Sequence, residues 1–165
     1  MLKFLFPLIV VCNLAYAQIP NRYIEEVFTQ VTETNDIVYS TSVPQPLNNN
    51  FNLYSILTQL PVAVKEYDTR NVSLSMDIFE PSGDVVTERP LVIICFGGGF
   101  VQGSRDYWSM RLLAEGLARR GYVTATIDYR IGMNLFDRDL GARAVYRGIQ
   151  DSRSAVRFFR ANAAE

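Results

Sequence analysis

The chain has 165 residues, with 16 basic and 17 acidic side chains and a formal net charge of −1. Apolar residues make up 48% of it and aromatic residues 12%, which excludes a disordered chain, a collagen-like repeat and a coiled coil. The length suits one domain with a sizeable core. There is no histidine, so no Ser-His-Asp, Cys-His or histidine-metal site can form within these residues. We expect no metal and no organic cofactor.

The first 17 residues have the pattern of a secretory signal peptide. Lys3 supplies a positive charge, residues 4–11 form a short apolar run, and Ala15-Tyr16-Ala17 has the small-x-small form of a cleavage site. The run is shorter than the roughly 20 residues that span a bilayer. We therefore expect cleavage between Ala17 and Gln18, a secreted or periplasmic protein, and no stable membrane anchor.

Export would leave Cys95 as the one cysteine, which excludes an internal disulfide or a cysteine-based zinc site. Because Cys95 lies in an apolar run, we expect it to be a small buried hydrophobic residue. Asn71-Val72-Ser73 fits the sequon for N-glycosylation, which matters only in a eukaryotic secretory pathway. We interpret that match as chance.

Residues 18–71 are polar and rich in turn-forming residues, and we expect amino-terminal strands and loops there. The segment 37–39 predicts a short strand, and Pro44, Pro46 and Asn48-Asn49-Asn50 predict a loop. A second strand is expected at 62–67. Residues 68–71 would then connect it to the strand that follows.

Residues 72–165 predict an α/β domain. Residues 72–79 alternate between apolar and polar side chains, which indicates a strand with one buried face. Residues 91–96 form a continuous apolar run, which is typical of a strand covered on both faces by helices. Another strand is expected at 122–127.

Two helices are predicted in the same region, and together with the strands they indicate a sheet flanked by helices. The first would be capped by Ser104 or Asp106 and would end before Gly121. The second is expected at about 142–163. The expected apolar stripes are Met110, Leu113, Ala114, Leu117 and Ala118 in the first helix, and Val145, Ile149, Ser152, Val156 and Phe159 in the second.

Eleven arginines and no lysine follow residue 100, which raises the possibility of nucleic-acid binding. Arg153, Arg157 and Arg160 recur at helical spacing, however, and predict one solvated helix face. No aromatic and basic residues alternate as in a nucleic-acid module. We therefore expect no nucleic-acid partner.

Gly97-Gly98-Gly99 directly follows the apolar run, where bare backbone N–H groups can approach a ligand. A dinucleotide fingerprint fails because its third glycine would fall at Gln102. A phosphate loop fails because Ser104 stands where lysine is required. An oxyanion hole, in which backbone N–H groups stabilise a negative oxygen, and a tight turn without a ligand both remain open.

Four segments together resemble one family. Residues 91–100, 103–104, 121–130 and 151–162 resemble the α/β-hydrolase fold, and within it the secreted carboxylesterases and lipases related to hormone-sensitive lipase and to bacterial feruloyl or acetyl xylan esterases. The resemblance covers about residues 72–165. It implies a serine carboxylic-ester hydrolase acting on a small-molecule or polysaccharide-linked ester.

The family motif H-G-G-G aligns with residues 96–99 of this chain. By that resemblance, the N–H groups of Gly98 and Gly99 are the oxyanion donors. Phe96 stands where the family has a histidine, which shapes the loop and is not the base of the nucleophile. Phenylalanine cannot make the hydrogen bonds of that histidine.

The motif that carries the family's nucleophile, G-x-S-x-G, is missing from the 165 residues, and Ser104, Ser109 and Ser152 all lack its glycines. The resemblance implies that the nucleophile, the acidic residue and the histidine lie beyond Glu165. We therefore expect the amino-terminal half of a hydrolase, inactive alone, in which the apolar strand at 91–96 lacks a neighbour. The alternative is a complete noncatalytic α/β binding module derived from a hydrolase.

Overall fold

The computed structural model describes residues 19–46, 69–133 and 138–163. Within these ranges the strands are β1 (Val31–Pro46), β2 (Thr69–Pro81), β3 (Leu91–Cys95) and β4 (Val123–Ile127). The helices are α1 (Trp108–Ala118) and α2 (Arg138–Ala161). Neither helix combines the length and apolarity that a membrane span needs. The expected signal peptide and the strand predicted at 62–67 lie outside the described residues.

The strands form one mixed sheet in the order β1-β2-β4-β3. The pairs β1–β2 and β2–β4 are antiparallel, whereas β3 and β4 run parallel. A helix joins the two parallel strands, as a parallel crossover requires. This arrangement confirms the predicted α/β class, and it leaves β3 at one edge of the sheet that the described residues form.

Each face of the sheet carries a helix and its own buried cluster. On the α1 face, the helix packs against β4 and β2, and its fully buried residues Ala114 and Ala118 join a cluster with side chains of the sheet. On the α2 face, Ala155 is fully buried against β2 and β4. The sheet contributes Phe79 and Ile94 to the first cluster, and Tyr39, Leu74, Met76, Ala125 and Ile127 to the second.

The β1–β2 ribbon is much longer than the sequence indicated. The predicted loops are wrong at 44–46 and at 69–71, because residues 43–46 of β1 pair with residues 69–72 of β2. The remainder of both, residues 48–50 and 68, lies outside the described residues. Proline is compatible with β1 because β1 is an edge strand, where a missing N–H faces away from the ladder. Irregular register at Asp36, which has a φ of 59°, lets the ribbon bend.

The first helix ends as predicted but begins differently. Its N-cap is Tyr107, which makes no side-chain cap, so the predicted caps are wrong. The Oγ of Ser104 instead accepts the Asp106 N–H at 3.1 Å in a local turn. At the other end Gly121 has a φ of 101° and donates its N–H to the Ala118 carbonyl at 2.8 Å. That left-handed position is the reason for glycine there.

The apolar stripe predicted for α2 faces the core only in part: Phe159 packs against the cluster on the α2 face, but the valines and the isoleucine do not. Val145, Ile149 and Val156 are 37%, 53% and 39% exposed. The buried face consists of Ala144, Gly148, Asp151 and Ala155. Small residues are buried because α2 approaches the sheet closely, whereas the large apolar side chains point past β3, where the sheet ends. The expected solvated arginines at 153, 157 and 160 are exposed.

Candidate functional site

The glycine segment follows the carboxyl end of β3. Because β3 and β4 are parallel, their carboxyl ends share one edge of the sheet, which is where ligands bind in α/β sheets. The chain turns there through residues 97–103 before α1 begins. The loop lies where a catalytic loop of an α/β fold is expected.

Positive backbone φ angles shape this loop. They are 132° at Gly98, 62° at Gly99, 60° at Phe100 and 138° at Gly103. A Cβ at Gly98 would overlap the carbonyl oxygen of Gln102, and a Cβ at Gly103 would overlap the ring of Phe96. These two positions therefore require glycine for both conformation and space. By contrast, a Cβ at Gly97 would meet no atom within 4 Å.

The loop leaves its N–H groups available on one side. The Gly98 carbonyl accepts the N–H of Val101 at 3.1 Å and that of Gln102 at 3.4 Å. Among the backbone hydrogen bonds of the described residues, none has the Gly98 or Gly99 N–H as donor. Both glycines are exposed. The loop is thus a tight turn whose two candidate donors face no backbone acceptor.

Aromatic packing holds the start of the loop. The ring of Phe96, 5% exposed, stacks on Tyr129 with centroids 4.2 Å apart and 19° between planes. The Tyr129 hydroxyl donates to the Phe96 carbonyl at 2.7 Å. On its other side the Phe96 ring contacts Gly103. Stacking therefore provides here an anchor that does not depend on a histidine.

Salt bridges between side chains hold the end of the loop. Arg105 donates through Nε to Asp77 at 3.1 Å and pairs with Asp36 and Asp128 through its two terminal nitrogens. These carboxylates come from β2, β1 and the segment after β4. They raise the pKa of Arg105 above its usual value, although burial opposes the shift most strongly. Asp77, assigned from alternation to an open polar face, is 1% exposed beneath this cluster.

A second ion pair ties the loop's neighbourhood to α2. Arg130, just after β4, contacts Asp151 in a fork in which Nε and Nη2 donate at 2.9 and 2.8 Å. The backbone N–H of Arg130 donates to the same carboxylate at 2.9 Å. The carbonyl of Phe100 accepts N–H groups from Gly132 and Met133, at 2.7 and 3.0 Å. The loop is thus connected to the segment between β4 and α2.

Beside the loop, an apolar groove of about 490 Å³ runs between β3 and α2. Cys95 is exposed in it, so the prediction of a buried cysteine is wrong. The reason is that Cys95 ends an edge strand, with no further strand beside it among the described residues. The groove is lined by Cys95, Phe96, Gly97, Gly99, Phe100, Tyr129, Val145, Gly148, Ile149, Ser152, Arg153 and Val156.

Ser152 is the one serine that lines this groove, and its contacts do not activate it. Its Oγ donates to the Gly148 carbonyl one helical turn earlier at 2.9 Å and lies 3.5 Å from the Cys95 sulfur. Neither neighbour is a base that could remove its proton. With no histidine in the sequence, the arrangement offers oxyanion donors and an apolar wall without a nucleophile–base pair.

The chain is similar to one curated protein and to solved structures. The chain is 36% identical over 95 residues to the neuroligin-like protein glit-1 of Caenorhabditis elegans, an alignment that covers 54% of this chain and 12% of that protein. Two crystal structures of esterase B from Lactobacillus rhamnosis are similar to 81% of this chain. The structure of the HN001 enzyme matches with a TM-score of 0.47 and 19% sequence identity, and the match covers 30% of the esterase chain. The tributyrin-phosphonate-inhibited structure has corresponding values of 0.46, 18% and 31%.

The chain therefore spans about an eighth of the curated relative and less than a third of the esterase structures. The profile of one family, BD-FAE, matches residues 76–165, which is just over half of the chain. This range includes β3, α1, β4 and α2. The matched range also contains the glycine loop, the Arg130–Asp151 pair and all of the Arg105 cluster except Asp36. The chain belongs to the BD-FAE family of α/β-hydrolase-type esterase domains.

Proposed function

We propose that these residues form the oxyanion-hole part of an exported serine carboxylic-ester hydrolase. The nucleophilic serine, the acidic residue and the histidine are supplied by residues outside these 165. The substrate is a small-molecule or polysaccharide-linked ester. Export depends on residues 1–17, with cleavage between Ala17 and Gln18.

The observation that carries this proposal is the pair of donors in the glycine loop. Among the described residues, the N–H groups of Gly98 and Gly99 have no backbone acceptor. They follow the carboxyl end of a parallel strand, and Gly99 lines the apolar groove. An oxyanion hole needs fixed donors in a site that excludes water. The Phe96–Tyr129 stack and the Arg105 cluster fix the two ends of the loop.

In the proposed reaction, serine attacks the ester carbonyl and histidine takes the serine proton and passes it to the leaving alcohol. The carbonyl oxygen becomes negative as the tetrahedral intermediate forms. The Gly98 and Gly99 N–H groups donate to that oxygen, together with the amide that follows the serine. Because the donors are already in place, no reorganisation is required as the charge develops.

Two features support a triad contributed from outside these residues. The sequence has no histidine and no G-x-S-x-G turn, so it contains no base and no nucleophile elbow. In addition, the large apolar side chains of α2 are exposed beside the free edge of β3, and both α2's apolar stripe and β3 consist of residues that are usually buried. A further strand beside β3 would cover them and would place a serine near the loop.

The second candidate is a noncatalytic binding module derived from a hydrolase. It is favoured by Phe96 at the position of the family's histidine, because the Phe96–Tyr129 stack and the Arg105 cluster hold the loop without that histidine. In that case the groove beside β3 binds a partner and no ester is cleaved. The two candidates differ in whether a nucleophile and a base exist in the whole protein.

The decisive experiment is to sequence past codon 165 and to assay short-chain nitrophenyl esters with the chain as given and with any longer reading frame. We expect the 165 residues to be inactive and the longer protein to be active. Within the longer protein, Gly98→Ala keeps the N–H but its Cβ overlaps the Gln102 carbonyl oxygen and displaces the donor, so kcat should fall by about 10²–10³, the cost of losing one donor elsewhere. Gly97→Ala, where a Cβ meets no atom within 4 Å, is the matched control and should retain most of the activity.

A stop codon directly after Glu165, with a soluble monomer that melts in one cooperative transition, would overturn the hydrolase proposal and support the binding module. Equal activity of the Gly98→Ala and Gly97→Ala proteins would remove the oxyanion assignment while leaving the family unaffected. Export is tested separately by mass spectrometry of the secreted protein, whose first residue should be Gln18. Recovery of intact Met1 would contradict it.

A further inference from the structure

The sequon Asn71-Val72-Ser73 lies in the first half of β2, and it is the one Asn-x-Ser/Thr sequence in the 165 residues. In the structure, the polar residues of this sequon are accessible to solvent. The side chains of Asn71 and Ser73 are exposed, whereas Val72 between them packs against the buried cluster on the α2 face. Strand alternation thus presents both polar residues of the sequon to solvent.

This part of β2 extends beyond the rest of the sheet. Asn71 pairs with Pro44 of β1, but the pairing of β2 with β4 begins only at Met76. Asn71 is therefore five residue steps from the four-stranded part, which is roughly 17 Å of extended chain. In the sheet order, β4 and β3 lie on the far side of β2 from β1. A strand added beside β3 would not reach Asn71.

This exposed setting argues against the interpretation of the sequon as a chance match, and we propose that Asn71 is an N-glycosylation site. The amide nitrogen of Asn71 forms a bond to C1 of an oligosaccharide, the bond from C1 to a lipid-linked pyrophosphate breaks, and the amide loses one proton as the lipid pyrophosphate leaves. The hydroxyl of Ser73 completes the sequon that the transferase reads. The inference rests on the export that is part of the proposed function, and on a eukaryotic secretory pathway such as that of the nematode relative.

The structure also indicates what a glycan does at this position. Residues 71–74 of β2 pair with β1 alone among the described residues, so their second edge presents unpaired backbone groups. Such an edge can pair with another chain and lead to aggregation, and a bulky hydrophilic group nearby obstructs that approach. A two-stranded ribbon is marginal by itself, which makes this protection more valuable.

The test expresses the full 165-residue chain in insect or mammalian cells, once with its own first 17 residues and once with these replaced by an established secretory leader. Lysate and medium are both analysed, because the transfer does not require the folded state. Gel mobility is compared before and after digestion with peptide-N-glycosidase F. Peptide mass spectrometry then looks for the conversion of Asn71 to aspartate that this enzyme leaves behind.

Matched variants assign any shift to the sequon. Ser73→Thr preserves it and should be modified like the wild type, whereas Ser73→Ala and Asn71→Gln should lose the mobility shift completely. An unmodified Asn71 behind the established leader, or an unchanged shift in Ser73→Ala, overturns the proposal. Modification behind the established leader but not behind the native one supports the site and counts against the export part of the proposed function.

Discussion

The buried pair of Arg130 and Asp151 is expected to determine how firmly α2 is held against the sheet. The two residues are 7% and 2% exposed, and the carboxylate receives the guanidinium and the backbone N–H of Arg130 together. Asp151→Asn keeps the volume of the side chain but removes the negative charge that the guanidinium faces. We expect this substitution to destabilise the protein strongly.

Removing one charge of a buried ion pair costs about 3–5 kcal/mol. Nη2 of Arg130 also donates to the Gln150 side-chain oxygen at 3.1 Å, which preserves one acceptor. The expected loss in the free energy of unfolding is therefore at the lower end, about 3 kcal/mol. With a urea m value of about 2 kcal/mol/M, the unfolding midpoint should fall by about 1.5 M.

The control is Glu115→Gln in α1, which removes an exposed pair. Arg119 and Glu115 lie 3.3 Å apart and their side chains are 37% and 35% exposed, so the pair contributes about 0.5 kcal/mol or less. Both variants are compared with the wild type by urea unfolding at pH 7, followed by far-ultraviolet circular dichroism. Midpoint shifts of equal size in the two variants would refute the reasoning, because burial would then not govern the cost.

Three further predictions concern pH and the thiol. The Arg22 side chain holds the pKa of Asp84 below its usual value. The pair therefore stabilises the fold above about pH 4, and this contribution disappears as the pH falls further. The difference in stability between the wild type and Asp84→Asn should accordingly narrow in unfolding curves measured in acid. Burial raises the pKa of Tyr39, so the neutral hydroxyl stabilises the fold below about pH 10 and this contribution is lost above it. In Tyr39→Phe the melting temperature should therefore fall less steeply at alkaline pH than in the wild type. An equal fall in both proteins would contradict this role of Tyr39. Cys95 is exposed and should react with a maleimide in the folded 165-residue chain at a rate close to that in urea; labelling of this chain that requires denaturant would show that the groove is closed in solution.

Much of the architecture follows from local sequence patterns. The continuous apolar run at β3, the helical spacing of α1 and the left-handed glycine at its end each predict an element that the structure contains. These signals are local: hydrophobic periodicity reports the type of an element, and a glycine reports a backbone angle. The glycine loop was likewise placed correctly at the end of a parallel strand, because that connection is short and continuous along the chain.

Tertiary structure alone decided which surfaces are buried. In α2 the apolar stripe of Val145, Ile149 and Val156 is partly exposed, while Ala144 and Ala155 are fully buried. Periodicity identifies an apolar face, but the close approach of helix to sheet selects the face with the small side chains. Cys95 is exposed for a related reason, since its strand lies at an edge, and the order of strands in a sheet is not a local property of their sequences.

The polar contacts required the assembled fold as well. Asp77 belongs by alternation to an open polar face, yet it is buried because Arg105, 28 residues later, returns to it from the end of the glycine loop. The Phe96–Tyr129 stack joins residues that are 33 positions apart. The sequence alone predicts that the loop loses the hydrogen bonds of the family's histidine, because Phe96 stands in its place. In the structure, packing between distant aromatic rings provides a different one, because the geometry of such contacts depends on the whole sheet.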